Sequence, residues 1–185
     1  MSASALWRRL DTPGHDAACI LPLPDGWRLH GTAVFVHEGM PARLDYELEL
    51  DSGWRTRWGV VTGFLGNRQI DDTITRSARG WTFNGRHVAG LDALVDLDLG
   101  FTPATNLQQI RRLDLAIGQR AAAPAAWLAP GADTLVELPQ YYRREGALTY
   151  TYEAPTAPSQ ATLELAPNGF VRSYPGLWVL ESSSG

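Results

Sequence analysis

Apolar and polar residues alternate with a period of two in RLDYELEL (43–50), LVDLDL (94–99), LDLAI (113–117), TLVEL (134–138), LTYTYE (148–153) and TLELA (162–166). Alternation of this kind sends successive side chains to opposite faces of an extended chain, so each stretch predicts a strand with one buried face. Turn signals punctuate the runs: Pro24-Asp25-Gly26, Glu38-Gly39, Ser52-Gly53, Asn84-Gly85, Glu145-Gly146 and Pro167-Asn168-Gly169. A mainly β meander follows. It is expected to form one domain over residues 1–180, with ESSSG (181–185) as a flexible tail.

Two turns can be taken further. Asn84-Gly85 tolerates positive φ at both central positions of a two-residue turn, so WTFNGRHV predicts a hairpin. In LDYELELDSGWRTRWGV the loop length decides the register. A two-residue Ser52-Gly53 loop places Arg55 and Arg57 on the face of Leu48 and Leu50, which is costly for guanidinium groups. A three-residue loop Ser52-Gly53-Trp54 instead pairs Asp51 with Arg55 and Glu49 with Arg57, and leaves Tyr46, Leu48, Leu50, Trp58 and Val60 on one apolar face. The second register is the expected one. A single short helix is predicted near Thr102-Pro103, with Thr102 as cap and Ala104 to Gln109 as body, and a strand resuming after Ile110.

Composition narrows the function classes. All sixteen basic side chains are arginine, which removes lysine Schiff-base chemistry and the lysine of a phosphate-binding loop. A formal charge of -4 opposes general nucleic-acid binding, which depends on displacing phosphate counterions. Cys19, the single cysteine, excludes an internal disulfide; it reads as a small core residue, and a reducing, cytoplasmic location is expected. No run approaches the ~20 apolar residues of a membrane helix. His15, His30, His37 and His87 show no ligand spacing, so no metal and no cofactor is expected, and no G-x-S-x-G elbow supports a serine hydrolase.

The segment VDLDLGFTPATNLQQIRRL (95–113) sets two acids on an apolar run. In a strand Asp96 and Asp98 share one side, about 6.5 to 7 Å apart, opposite Val95, Leu97 and Leu99. Read from residues alone, that side faces solvent, because carboxylates are almost never buried unpaired. The seven tryptophans and six tyrosines read chiefly as core, with Trp54 in its loop the best candidate for stacking on a sugar.

Several segments together resemble the family of bacterial glycolipid-binding proteins, long catalogued as a domain of unknown function. They are LDYELELDSGWRTR (44–57), GWTFNGR (80–86), VDLDLGFTPATN with IRRL (95–113), AAWL (125–128), QYYR (140–143) and NGFVRSYPGLW (168–178), with a weaker echo in GWRLHGTAVF. The resemblance runs from about Leu44 to the C-terminus. It implies a spiral β-roll, a many-stranded antiparallel sheet wrapped around one short helix, together with homodimer formation and an acidic pocket for a glycolipid, phospholipid or other amphiphile. The chain departs from the family pattern at Gln108-Gln109-Ile110, where Leu-Pro-Ile is usual, and at Ala104, where a larger aromatic is usual.

On that resemblance, Asp51, Asp96 and Asp98 with Arg57, Asn106 and Arg112 read the headgroup, and Trp54, Arg111, Gln140 and Tyr142 complete the candidate site. Ionised carboxylates are strong acceptors for sugar hydroxyls. If a strand carries the two arginines, Arg111 and Arg112 face opposite ways and one alone lines the pocket. Two other classes stay open: a carbohydrate-active enzyme using the aspartates, whose spacing also suits an inverting pair with a water between them, and a dimeric scaffold without ligand.

Overall fold

The computed structural model describes residues 2–154 and 160–185. Its N-terminal run comprises β1 (Ala3–Arg9), β2 (Gly14–Leu23), β3 (Gly26–His37), β4 (Met40–Asp51), β5 (Thr56–Leu65) and β6 (Arg68–Ser77), then the short β7 (Gly80–Phe83) and β8 (Arg86–Val88). Next come β9 (Asp96–Leu99), the helix α1 (Asn106–Leu113), β10 (Arg120–Ala122), β11 (Ala125–Leu128) and β12 (Val136–Leu138). The chain closes with β13 (Tyr141–Arg144), β14 (Thr149–Glu153), β15 (Ala161–Leu165), β16 (Val171–Tyr174) and β17 (Trp178–Ser184).

Fourteen of these strands form one antiparallel sheet in the order β10-β13-β14-β15-β16-β17-β1-β2-β3-β4-β5-β6-β7-β8, open at β10 and β8. Two meanders meet where the terminal strands pair. The joint is β1 against β17, from Ser4 opposite Ser184 to Arg9 opposite Trp178. The segment expected to fray beyond 180 therefore continues the ladder to Ser184, because β1 offers it backbone partners. A second sheet of β12, β11 and β9 lies inside the roll, with β9 parallel to β11. Among the described residues α1 is the one helix, so the mainly β spiral roll around a short helix is what the sequence forms.

Alternation explains the core. On β4 the residues Ala42, Leu44, Tyr46, Leu48 and Leu50 are buried, while those between them are half-buried or exposed. They join Trp7, Phe35, Ile74 and Trp81 around Leu97, Leu99 and Phe101. A second cluster gathers Ile110 of the helix with Tyr142, Tyr150, Tyr152 and Leu163. Burying one such side chain stabilises the fold by roughly 1.5–3 kcal/mol. The Asn84-Gly85 turn forms as expected, with φ of 49° and 74°.

Four expectations are corrected. The helix starts later, at Asn106, and runs through Leu113; residues 113–117 form no strand, and Ile117 is 65% exposed. The reason is helical: Leu107, Ile110 and Leu113 are spaced by three, Arg111 and Arg112 suit the negative end of the helix dipole, and Asp114 ends it at φ 40°. Secondly, the three-residue β4–β5 loop forms as expected, with the Asp51 N–H donating to the Arg55 carbonyl at 2.8 Å, but the register beyond it differs. Beyond it a bulge inserts Arg57 between Leu50↔Thr56 and Glu49↔Trp58. Glu49 thus faces Trp58 rather than Arg57. Thr56, Gly59 and Val61 turn inward, while Trp58 and Val60 are half-buried beside acids on the outer face. Gly59 has a packing reason, because a Cβ there would come within 3.0 Å of Leu97. Thirdly, Cys19 is half-buried on the face opposite Ala18 and Ile20, outside the core. Fourthly, the β9 aspartates do not face solvent, as described below.

Trp7 locks the joint between the meanders. Its Nε1 donates to the Val171 carbonyl at 2.6 Å and its ring meets Phe170 edge-on at 5.3 Å. Replacing Trp7 with Phe keeps most of the apolar volume but orphans that carbonyl, so urea unfolding should show a loss of about 1–3 kcal/mol. A smaller loss should follow deletion of residues 181–185, whose side chains are largely exposed.

Candidate functional site

β9 is a strand with neither face on the outer surface. Asp96, Leu97, Asp98 and Leu99 are all buried, because the large sheet covers one side and α1 with its flanking turn covers the other. A buried carboxylate needs a partner. Arg112 supplies one for Asp96 through two parallel hydrogen bonds, 2.8 and 2.6 Å long. Burial raises the Asp96 pKa nonetheless, against the opposing Arg112 charge.

Asp98 has softer support. Gln140 donates to it at 3.3 Å, and Gln140 is itself fastened to a chain of amides and one phenol. Asn106 Nδ2 donates to the Tyr142 hydroxyl at 2.7 Å, and Tyr142 donates to Gln109 Oε1 at 2.9 Å. Burial pushes Asp98 up to about 6; the Gln140 and Gln109 amides lower it and the neighbouring Asp96 charge raises it. Tyr142 is held well above its ordinary value by burial and the Asp98 charge, so it stays a neutral donor.

Asp98 opens onto a cleft of about 560 Å³ between β9, the 102–106 turn, β14, β15 and the β16–β17 turn. Its walls are largely aromatic and aliphatic, with Leu99, Trp127, Leu138, Tyr152, Tyr174 and Trp178 prominent. Gly100 makes room for one wall, since a Cβ there would sit 2.6 Å from Trp127 Nε1. A roomier and more open concavity of about 740 Å³ lies on the outer face of β1–β5. Its two carboxylates already have partners, Asp45 in the Thr32 hydroxyl and in Arg43, and Glu47 in Arg28, so the Asp98 cleft is the stronger candidate.

The structure brings together Asp98, Asn106, Gln140 and Tyr142, with Asp96 and Arg112 as an adjacent closed ion pair. The other four candidates lie elsewhere. Asp51 accepts the Gly53 and Arg55 N–H groups in its own turn. Trp54, at φ 64°, stacks on Trp27 at 4.5 Å. Arg57 reaches Asp25 on the surface. Arg111 donates to the Asn168 carbonyl. Two carboxylates flanking a water, as an inverting glycosidase needs, are not formed, because Arg112 occupies both oxygens of Asp96.

Several residues of the cleft and its supporting network escaped sequence reasoning. Gln109, Trp127 and Tyr152 carry no local signal. Asp16 had one: it shares the parity of the buried Ala18 and Ile20 on β2. Asp16 is fully buried, accepts from the Tyr46 hydroxyl at 3.1 Å to each oxygen, and accepts from the Thr102 hydroxyl. Thr102 Oγ1 in turn accepts the Ala104 N–H at 3.0 Å, so this network shapes the turn that lines the cleft. Burial pushes Asp16 up to about 7 despite these donors.

Such an architecture, an open β-roll around one helix with an acid-tipped cleft, defines a fold rather than any one activity. The chain belongs to the family described as "Putative glycolipid-binding", whose model matches residues 4–179, further toward the N-terminus than the motifs reach. It is similar to a DUF1089 family protein from Pseudomonas aeruginosa of known crystal structure, with 29% identity over 89% of this chain and 91% of that one and a TM-score of 0.77. No curated protein matches. Among the described residues no helix is long and apolar enough to cross a membrane, and no three His, Cys, Asp or Glu side chains cluster to hold a metal.

Asp16 sets a pH dependence. Its pKa is raised on folding from the ordinary 3.8, so between about pH 4 and 7 the folded chain binds the proton more tightly than the unfolded one. Its contribution is then full below the unfolded value and is lost as pH rises through about 7, with a slope of at most about 1.4 kcal/mol per pH unit for one proton. Asp98 adds in the same direction up to about 6. Urea midpoints measured from pH 4.5 to 8 should fall with pH, and Asp16→Asn should flatten the slope.

Proposed function

We propose that this protein binds an amphiphile in the Asp98 cleft, with a polar headgroup at the Asp98–Asn106 end and the alkyl part along the aromatic wall. The observation that carries the reading is a buried carboxylate that opens onto a cleft walled largely by aromatic and aliphatic side chains. A cleft of about 560 Å³ lies within the range of small-molecule sites, roughly 300–1,000 Å³. Each CH2 moved from water onto Leu99, Leu138 or Trp178 contributes about 0.8 kcal/mol. The headgroup binds by charge-assisted hydrogen bonds to the carboxylate. Family membership supports the same general kind of ligand.

The resemblance further suggests a homodimer, and the lone reduced Cys19 a cytoplasmic setting; both belong to this reading, and light scattering of the purified protein tests the first. Asp51, Trp54, Arg57 and Arg111 play no part in it, being held in their own contacts.

Decyl β-maltoside below its micelle concentration should quench or shift tryptophan fluorescence, through Trp127 and Trp178, in a saturable way. Gly100→Val displaces the Trp127 wall and should weaken that binding at least tenfold. Native mass spectra of gently purified protein should carry the mass of a retained lipid. Unsaturable fluorescence changes, insensitive to Gly100→Val, would refute the reading.

A further inference from the structure

Two carboxylates lie two residues apart on β9, both buried and unequally provided for. Asp96 has a cation of its own, because Arg112 binds both of its oxygens. Asp98 has neutral support, with the Gln140 amide donating at 3.3 Å. It is also the one charged group lining the cleft among the described residues. Arg111, beside Arg112 on the helix, is turned to the Asn168 carbonyl. Arg9, whose guanidinium lies 5.2 Å from the Trp178 ring, is held by Asp11 through two hydrogen bonds. A buried carboxylate without a counter-charge is costly. The cleft is the side from which one can arrive.

The walls suit a positive charge. Trp127 stands opposite Asp98 in the parallel register of β9 and β11, and both line the cleft. Tyr152, Tyr174 and Trp178 extend the aromatic lining, and Trp127 and Tyr174 are only half-buried. Aromatic rings attract cations through their negative faces, more strongly where water is excluded. A second acceptor belongs to the same lining. Tyr142 gives its proton to Gln109 and so accepts from Asn106 Nδ2, which leaves Asn106 Oδ1 without a partner among the described residues. Carboxylate, amide oxygen and rings around one cavity match an organic ammonium ion, whose N–H groups donate to the oxygens while its charge meets the carboxylate. Thr162 and Gln160 bring neutral donors to the cleft, but an anion held by them would face the ionised Asp98.

We propose that the cleft binds a primary ammonium group carried on an apolar chain, the ligand giving Asp98 the counter-charge that Arg112 gives Asp96; this rests on the amphiphile reading above and adds a positive charge to it. Binding then requires an ionised Asp98. Burial holds that carboxyl at about 6, so it is mostly ionised at pH 7.5 and mostly protonated at pH 5, and the ammonium should bind roughly tenfold more weakly at the lower pH. The other titratable groups around Asp98 are Asp96, paired with Arg112, and Tyr142, Tyr152 and Tyr174, all three raised by burial and so neutral over this range.

The test compares decylammonium, decyl β-maltoside and decyl phosphate, each below its micelle concentration, by calorimetric titration at pH 7.5. Salt at about 0.15 M screens the attraction of any cation to the chain's formal charge of -4. The ammonium should bind at one site, at least tenfold more tightly than the maltoside, with the phosphate weakest. Asp98→Asn should weaken the ammonium at least tenfold, so that its lead over the maltoside disappears. Should that variant not fold, the wild-type protein at pH 5 gives the same comparison. Equal or tighter binding of the maltoside or the phosphate at pH 7.5 overturns the ammonium assignment and leaves amphiphile binding standing. So does an ammonium lead that survives Asp98→Asn or, where that variant does not fold, the shift to pH 5. Binding of none of the three overturns both.

Discussion

The ion pair between Asp96 and Arg112 is the contact on which the interior depends. Asp96 is fully buried on β9, so its carboxylate has no route to water, and an unpaired charge there is among the most expensive arrangements a fold can contain. Arg112 reaches it only because residues 106–113 are helical and place that side chain over β9. The pair therefore couples helix to inner sheet. With the helix set, the buried side of α1 delivers Asn106 and Gln109 to Tyr142 of β13, and Gln140 to Asp98 follows. One electrostatic requirement thus orders a polar network spanning both halves of the roll. Such networks fix a unique arrangement when their members find partners.

Much of the architecture could be read from parity. The period of two on RLDYELEL and LTYTYE places the buried side of β4 and β14, and Asn84-Gly85 marks its hairpin. Parity failed where the backbone changes phase. The extra residue at Arg57 inverts every assignment downstream on β5, and nothing in TRWGV marks a bulge except Gly59, whose missing side chain admits Leu97. It failed again at LDLAI, where Leu113 is half-buried as the last helical residue and Leu115 is buried in a loop.

The site was legible in its residue types but not in its geometry. Asp98, Asn106, Gln140 and Tyr142 come together; Asp51, Arg57 and Arg111 satisfy other partners instead. Asp51 finds its partners within its own turn, whereas Arg57 and Arg111 reach across the fold to Asp25 and the Asn168 carbonyl, contacts that no local pattern announces. Gln108 and Gln109 show the converse: where a proline is usual in the family this chain has two amides, both fully buried, one joining Thr56 to the Leu97 carbonyl and one receiving Tyr142. A departure from the pattern proved to be part of the network.

The two raised carboxyls sit on either side of one turn. Asp16 holds Thr102 from below, and Asp98 faces the cleft that Thr102 helps to line. Ionising Asp16 strengthens its need for the Thr102 and Tyr46 protons, whereas protonating it relaxes that hold. The turn that leads into α1 is thereby tied to a carboxyl that burial raises to about 7, and the same turn precedes Asn106, which lines the cleft. The cleft and the anchoring of the helix start are thus linked through five residues of backbone, 102–106. A substitution at Asp16 lies outside the cleft lining, yet it acts on the position of Asn106.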